Sequence, residues 1–124
     1  MSSVDYVRFY TDSSGESHME KNLKVELSST NFVPPAPPIE ISAIEPAASY
    51  GFLNVPAGYD GGWHPTPLRQ WIFMLSGEME FKVSSGATHR ALPGSAILLE
   101  DTSGKGHQSR VLGKNDALFV GVQF

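Results

Sequence analysis

Apolar and polar residues alternate along most of this chain in short stretches, and each stretch stops at a glycine, a proline or a small polar cluster. "LKVELSS" (23–29) puts Leu23, Val25 and Leu27 on one face and Lys24 and Glu26 on the other, the two-residue period of a half-buried strand. "DYVRFYT" (5–11), "SYGFLNV" (49–55), "QWIFMLS" (70–76), "EMEFKV" (78–83), "AILLED" (96–101) and "ALFVGVQF" (117–124) predict further strands, rich in β-branched and aromatic residues. "SGE" (76–78) and "SSGA" (84–87) predict hairpin turns. No helical period survives beyond a turn or two. The pattern is that of an all-β barrel or sandwich.

One stretch departs from it. "FVPPAPPIE" (32–40) fits neither a helix nor a central strand, because proline lacks the N–H that either would use. It predicts an extended polyproline-type arm, lying over the body or across to a second subunit. The expected organisation is a single domain over 1–124, with N-terminal strands over 1–29, a proline-rich connecting arm over 30–48 and the barrel core over 49–124.

Composition narrows the picture mainly by exclusion. A chain of 124 residues has room for one hydrophobic core. A net charge of −4 leaves no basic footprint for nucleic acid. With no cysteine, disulfides, thiolate metal sites and cysteine nucleophiles are excluded. "MSSVDYVRFYTD" lacks a signal-peptide pattern. The apolar stretches fall far short of the roughly 20 residues that span a bilayer as a helix. The expectation is a cytoplasmic protein with no membrane partner.

Candidate chemistry concentrates in "GYDGGWHPTPLRQWIFMLSG" (58–77). Gly58 is followed after five residues by His64, then Thr66, then Gln70 after three more, and Gly77 after a further six. This spacing resembles the first signature of the cupin superfamily, in which a glycine precedes His-x-His, a glutamate and a second glycine. Thr66 stands at the second histidine position and Gln70 at the glutamate position. "LPGSAILLEDTSGKGHQSRV" (92–111) resembles the second cupin motif, with Pro93-Gly94 as its turn and His107 as its histidine; Val111 stands where an asparagine is often found. The resemblance, which covers residues 30 to 124, implies a cupin-type double-stranded β-helix, or jelly-roll barrel. It also implies a ligand set of His64, Gln70 and His107 for one divalent transition metal (Zn, Fe, Ni or Mn). That set is reduced, since an amide replaces the carboxylate and a hydroxyl replaces one imidazole.

Three functions follow. In the first, a metal at His64, Gln70 and His107 acts as a Lewis acid on a small organic substrate, giving isomerase, cyclase, lyase or dioxygenase-type chemistry. In the second, a metal-free enzyme of epimerase or isomerase type uses His64 as general acid or base, tuned by Glu100 or Asp101. The third is a non-catalytic ligand-binding module. Tyr59, Trp63 and Phe52 are candidates for the pocket mouth, with Thr66 and Met74 as further ligand contacts. Period two places Ile72 and Met74 on the same face as Gln70, and Trp71 and Phe73 on the other. His18 and His89 match neither motif and are expected at the surface. "SGKGHQSR" lacks the context of a phosphate-binding loop, so Lys105 and Arg110 are expected to be solvated. The expected partners are a small organic ligand and a second copy of the chain, as a homodimer.

Overall fold

Strand order follows from where this chain can reverse. A computed structural model, which describes residues 2–124, contains eleven strands and no helix among the described residues. In order they are β1 (Ser3–Thr11), β2 (Ser17–Glu26), β3 (Ser28–Thr30), β4 (Ile39–Ile41), β5 (Ser49–Val55), β6 (Gln70–Ser76), β7 (Glu78–Val83), β8 (Thr88–Ala91), β9 (Ala96–Leu99), β10 (His107–Leu112) and β11 (Ala117–Gln123). The passage from β6 to β7 turns on Gly77, whose φ is +76°. A Cβ there would lie 2.4 Å from the Asp116 carbonyl oxygen, so both the left-handed backbone and the close approach call for glycine.

Two sheets face each other as a jelly-roll barrel. One has six strands in the order β2-β1-β9-β6-β11-β5, and the other has three in the order β10-β7-β8. Alternation decides what fills the space between them. In β6, Ile72 and Met74 point inward and are buried, while Phe73 and Leu75 on the opposite face are exposed. Phe9, Ile72 and Met74 from the large sheet meet Met79, Phe81 and Val83 from the small one. The Phe9 and Phe81 rings stand edge to face with centroids 5.8 Å apart. Each such side chain contributes about 1.5–3 kcal/mol by leaving water, and removing Phe9 would also leave a cavity.

The N-terminal strands belong to the barrel. β1 lies between β2 and β9, pairing with β9 in parallel, and its Phe9 is fully buried. β2 starts earlier than the alternation over 23–29 predicts. Its register shifts opposite Tyr6 and Arg8, and Asn22 there has φ +61°, which breaks the period that would have marked its first half. The proline run also differs from an extended arm. β3 and β4 pair antiparallel, with the prolines in the connection between them, where Ala36 N–H closes a turn onto the Val33 carbonyl at 2.8 Å. The short β-branched flanks supply the ladder bonds that the prolines cannot. On the outer face of the large sheet, Trp71 stacks on Phe73 and takes the edge of Tyr6. Among the described residues no helix is long and apolar enough to cross a membrane.

Candidate functional site

The segment between β5 and β6 is rich in glycine and proline, yet it is stitched to the barrel. Gly61 N–H donates to the Ser109 carbonyl at 2.9 Å, and Val111 N–H donates to the Tyr59 carbonyl at 2.9 Å. His64 and His107 exchange both backbone bonds, at 3.0 and 2.9 Å, and Thr66 N–H reaches the Asp101 carbonyl at 3.0 Å. This contact depends on Gly106. Its φ is +72°, and a Cβ there would fall 2.2 Å from the His64 carbonyl carbon. Glycine at 106 therefore lets the two motifs touch.

The side chains follow from that stitch. The His64 and His107 rings lie with centroids 4.9 Å apart. His107 packs edge to face with Phe9 and against the tilted ring of Phe81, and its Nδ1 lies 2.6 Å from Asp101 Oδ2. Both members of this pair are buried, His107 at 4 % exposure and Asp101 at 0 %. We assign the proton to Nδ1, with the Asp101 carboxylate as its acceptor. The same holds at His64, whose Nδ1 donates to the Gly62 carbonyl at 3.0 Å. Neither Nε2 has a protein partner among the described residues. Asp101 Oδ1 is buried and also lacks one.

Across the cavity the polar groups are joined to one another. Ser49 Oγ donates to Gln123 Oε1 at 2.8 Å, and Gln123 Nε2 donates to Gln70 Oε1 at 2.6 Å. Gln70 Nε2 donates to Thr66 Oγ1 at 3.1 Å, and Thr66 Oγ1 donates to the Leu68 carbonyl at 2.8 Å. The chain of donors fixes which end of the Gln70 amide is oxygen. Gly121 makes room for it, since a Cβ there would lie 2.9 Å from Gln70 Oε1.

His64, Thr66, Gln70 and His107 line a cavity of about 470 Å³. Of the expected site residues, His64, Thr66, Gln70, His107 and Tyr59 come together on its wall. Met74 is buried in the core away from that wall, since β6 carries it one inward position deeper than Ile72. Trp63 is 46 % exposed and Phe52 68 % exposed, both off the wall. The carboxylate expected beside His64 sits on His107 instead. Glu100 points elsewhere, bound by Arg8 and Arg69. Burial works against its charge, but the two guanidinium groups outweigh burial and hold its pKa below the ordinary value.

Outside the site, His18 bonds Asp12 at 2.7 Å and stacks on Tyr10. His89 is half-buried with Nε2 unpartnered, and burial, then Lys21, hold its pKa down. Lys105 and Arg110 pair with Glu16 and Glu80 at the surface. Sequence reasoning missed Asp101 as the partner of His107, and Gln123 and Ser49 as the groups that occupy Gln70. The acidic "LLED" ahead of His107 was the only available signal.

As arranged, the donor set does not fit a resident transition metal. Such an ion takes three or four good donors from the protein, and two imidazole nitrogens are open here. Gln70 Oε1 and Thr66 Oγ1 are engaged, and Asp101 lies behind His107. Among the described residues no three His, Asp or Glu side chains group closely enough to hold an ion.

Neither a family model nor a curated protein matches the sequence. Solved structures do match in shape. The cupin domain of Cnp3 from Schizosaccharomyces pombe is 12 % identical with a TM-score of 0.51, over 100 % of this chain and 86 % of that one. Protein NMB1881 from Neisseria meningitidis is 16 % identical with a TM-score of 0.47, over 66 % of this chain and 90 % of its own. A protein described as a putative ethanolamine utilization protein Q, from Salmonella typhimurium, is 13 % identical with a TM-score of 0.41, over 100 % and 98 %. With the motif spacing and the two-sheet barrel already in place, the likeness to the Cnp3 domain makes this chain a protein of the cupin fold.

Proposed function

We propose that this chain is a small-molecule-binding cupin that moves protons with His107, backed by Asp101, and with His64, and needs no resident metal. The observation that carries the reading is the buried 2.6 Å contact between Asp101 and His107 Nδ1, on a ring whose Nε2 is open and which lines the cavity. Asp101 holds the tautomer that leaves a lone pair on Nε2 and stabilises the imidazolium as it forms. A carbon acid beside a carbonyl would lose its proton to His107 Nε2, and its electron pair would move into the carbonyl as an enolate. The imidazolium of His107 would then return that proton at carbon or oxygen, directly or by way of Nε2 of the neighbouring His64. The net change is an isomerisation or epimerisation with no oxidant. Positioned proton transfer of this kind contributes about 10²–10⁴-fold.

The test is deuterium exchange followed by proton NMR, with chelator-treated protein and a panel of uncharged ketones in D2O. Exchange is expected next to a carbonyl, and His107→Gln, which keeps an N–H for Asp101, is expected to slow it by about 10²-fold. Exchange that proceeds equally well in this variant would sink the reading.

A further inference from the structure

The strongest acceptors on the cavity wall are its two imidazoles. His64 Nδ1 is held by a carbonyl and His107 Nδ1 by a carboxylate, and neither group has a proton to give. In its neutral form each ring presents Nε2 as a lone pair. The rings are 4.9 Å apart between centroids, so one small group can meet either nitrogen. The opposite wall offers no competing acceptor of that strength, because the oxygens of Gln70 and Thr66 are already engaged.

Charge narrows the ligand further. Among the described residues no Lys, Arg, Asp or Glu lines the cavity, so no such group on the wall would neutralise a ligand's charge, and an unpaired ion taken out of water is strongly disfavoured. A carboxylate would moreover sit over two lone pairs with Asp101 behind one of them. The rest of the wall is mainly apolar, with Leu53, Ile72, Phe81, Leu99 and Phe119, and carries the polar side chains of Asn54, Tyr59 and Ser109 at separate points. A volume of about 470 Å³ falls within the range of sites that enclose small organic molecules.

We infer that the cavity selects an uncharged, mainly apolar hydroxyl compound of phenol or enol type, whose O–H donates to Nε2 of His107 or His64. This names the ligand class of the same site, and it rests on the proton-transfer reading only for what happens after binding.

Three probes of nearly equal shape separate the possibilities: 2-naphthol, 2-methoxynaphthalene and 2-naphthoate. They are titrated calorimetrically into the full chain at neutral pH with chelator present, where the naphthol keeps its proton. Naphthol is expected to bind about ten-fold or more tighter than the methyl ether, and the ether tighter than the carboxylate. A His64→Ala, Asp101→Leu, His107→Leu variant removes both acceptors without stranding the carboxylate, and is expected to erase the preference for naphthol over the ether. Should that variant fail to fold, the nitrogen-15 shift of a histidine Nε2 in the unaltered protein serves instead, moving with naphthol and not with the ether.

Equal affinity for naphthol and ether, tightest binding of naphthoate, or no binding of any probe would each overturn the inference. Preference for naphthol without exchange activity on any ketone leaves the ligand class standing and removes the proton chemistry. Exchange activity with no naphthol preference does the reverse.

Discussion

The cavity has two polar walls, and they differ in what they leave open. On the side of β10, His64 and His107 have their Nδ1 positions fixed and their Nε2 positions free. On the side of β6, Gln70 and Thr66 are tied, through Gln123 off the wall, into a run of bonds from Ser49 to the Leu68 carbonyl. Both walls are polar, but only one presents imidazole lone pairs with no protein partner among the described residues. The amide wall sets shape, and the imidazole wall sets chemistry. That difference comes from partners rather than residue types, since a Gln70 released from Gln123 would be a third donor.

Removing His107 should break the contrast most severely. His107→Ala strands the buried Asp101 carboxylate, whose Oδ1 already lacks a partner, and is expected to cost about 3 kcal/mol, read as a shift in the urea midpoint at constant slope. Adding Asp101→Leu should recover part of it. No recovery would mean that the pair is not coupled as described.

Next comes Gly106→Ala, which places a Cβ against the His64 backbone and asks an L-residue to hold φ +72°. A loss of about 2 kcal/mol is expected, together with loss of naphthol binding as the two motifs separate. Retained binding would show that the stitch does not position the rings.

The comparison can also be reversed by building donors into the amide wall. Thr66→His with Gln70→Glu restores an imidazole and a carboxylate at the motif positions. Metal analysis is expected to find one divalent ion per chain in this variant and a sub-stoichiometric amount in the unaltered protein. At a hundred-fold excess over Kd the ion should add about 2.7 kcal/mol of stability. A stoichiometric ion in the unaltered protein would erase the distinction between the walls.

The smallest effect lies just outside the cavity, at Glu100. Its folded pKa is held below the ordinary value of 4.5 by Arg8 and Arg69, against the cost of burial. A depressed carboxylate stabilises fully above its unfolded value and loses that contribution as pH falls through the folded one. Thermal unfolding from pH 6 down to pH 3 should therefore fall less steeply in Glu100→Gln. An unchanged slope would assign the acid sensitivity to other carboxylates.

The frame of this site is written locally, and so it was legible. Gly58, His64, Gln70 and Gly77 keep their spacing because a turn, a strand and a hairpin follow one another directly, and the expected ranges of β5, β6 and β7 match those observed. His107 was legible through its motif, in which a Pro-Gly turn leads into an apolar strand and then to a histidine, although β10, which it opens, was not among the expected strands. The state of Gln70 was not, because its oxygen is claimed by Gln123, 53 residues away and two strand positions beyond Gly121. Asp101 sits six residues before His107, but nothing in that spacing says which histidine it will meet. The loop through Gly104 and Gly106 decides it. The first half of β2 was hidden by its irregular register, and Met74 lies off the cavity wall because alternation gives the face of a side chain and not its depth.

Two connections that both carry prolines are different objects to a protease. The segment between β3 and β4 hangs on a ribbon of three residue pairs, and local fraying is enough to present it for cleavage. The segment carrying His64 is bound at Tyr59, Gly61, His64 and Thr66, so a nick there requires those bonds to open together. Cutting at the first would report only a loose hairpin. Cutting near His64 would be a clock on the opening of the site itself, and a bound ligand would slow it.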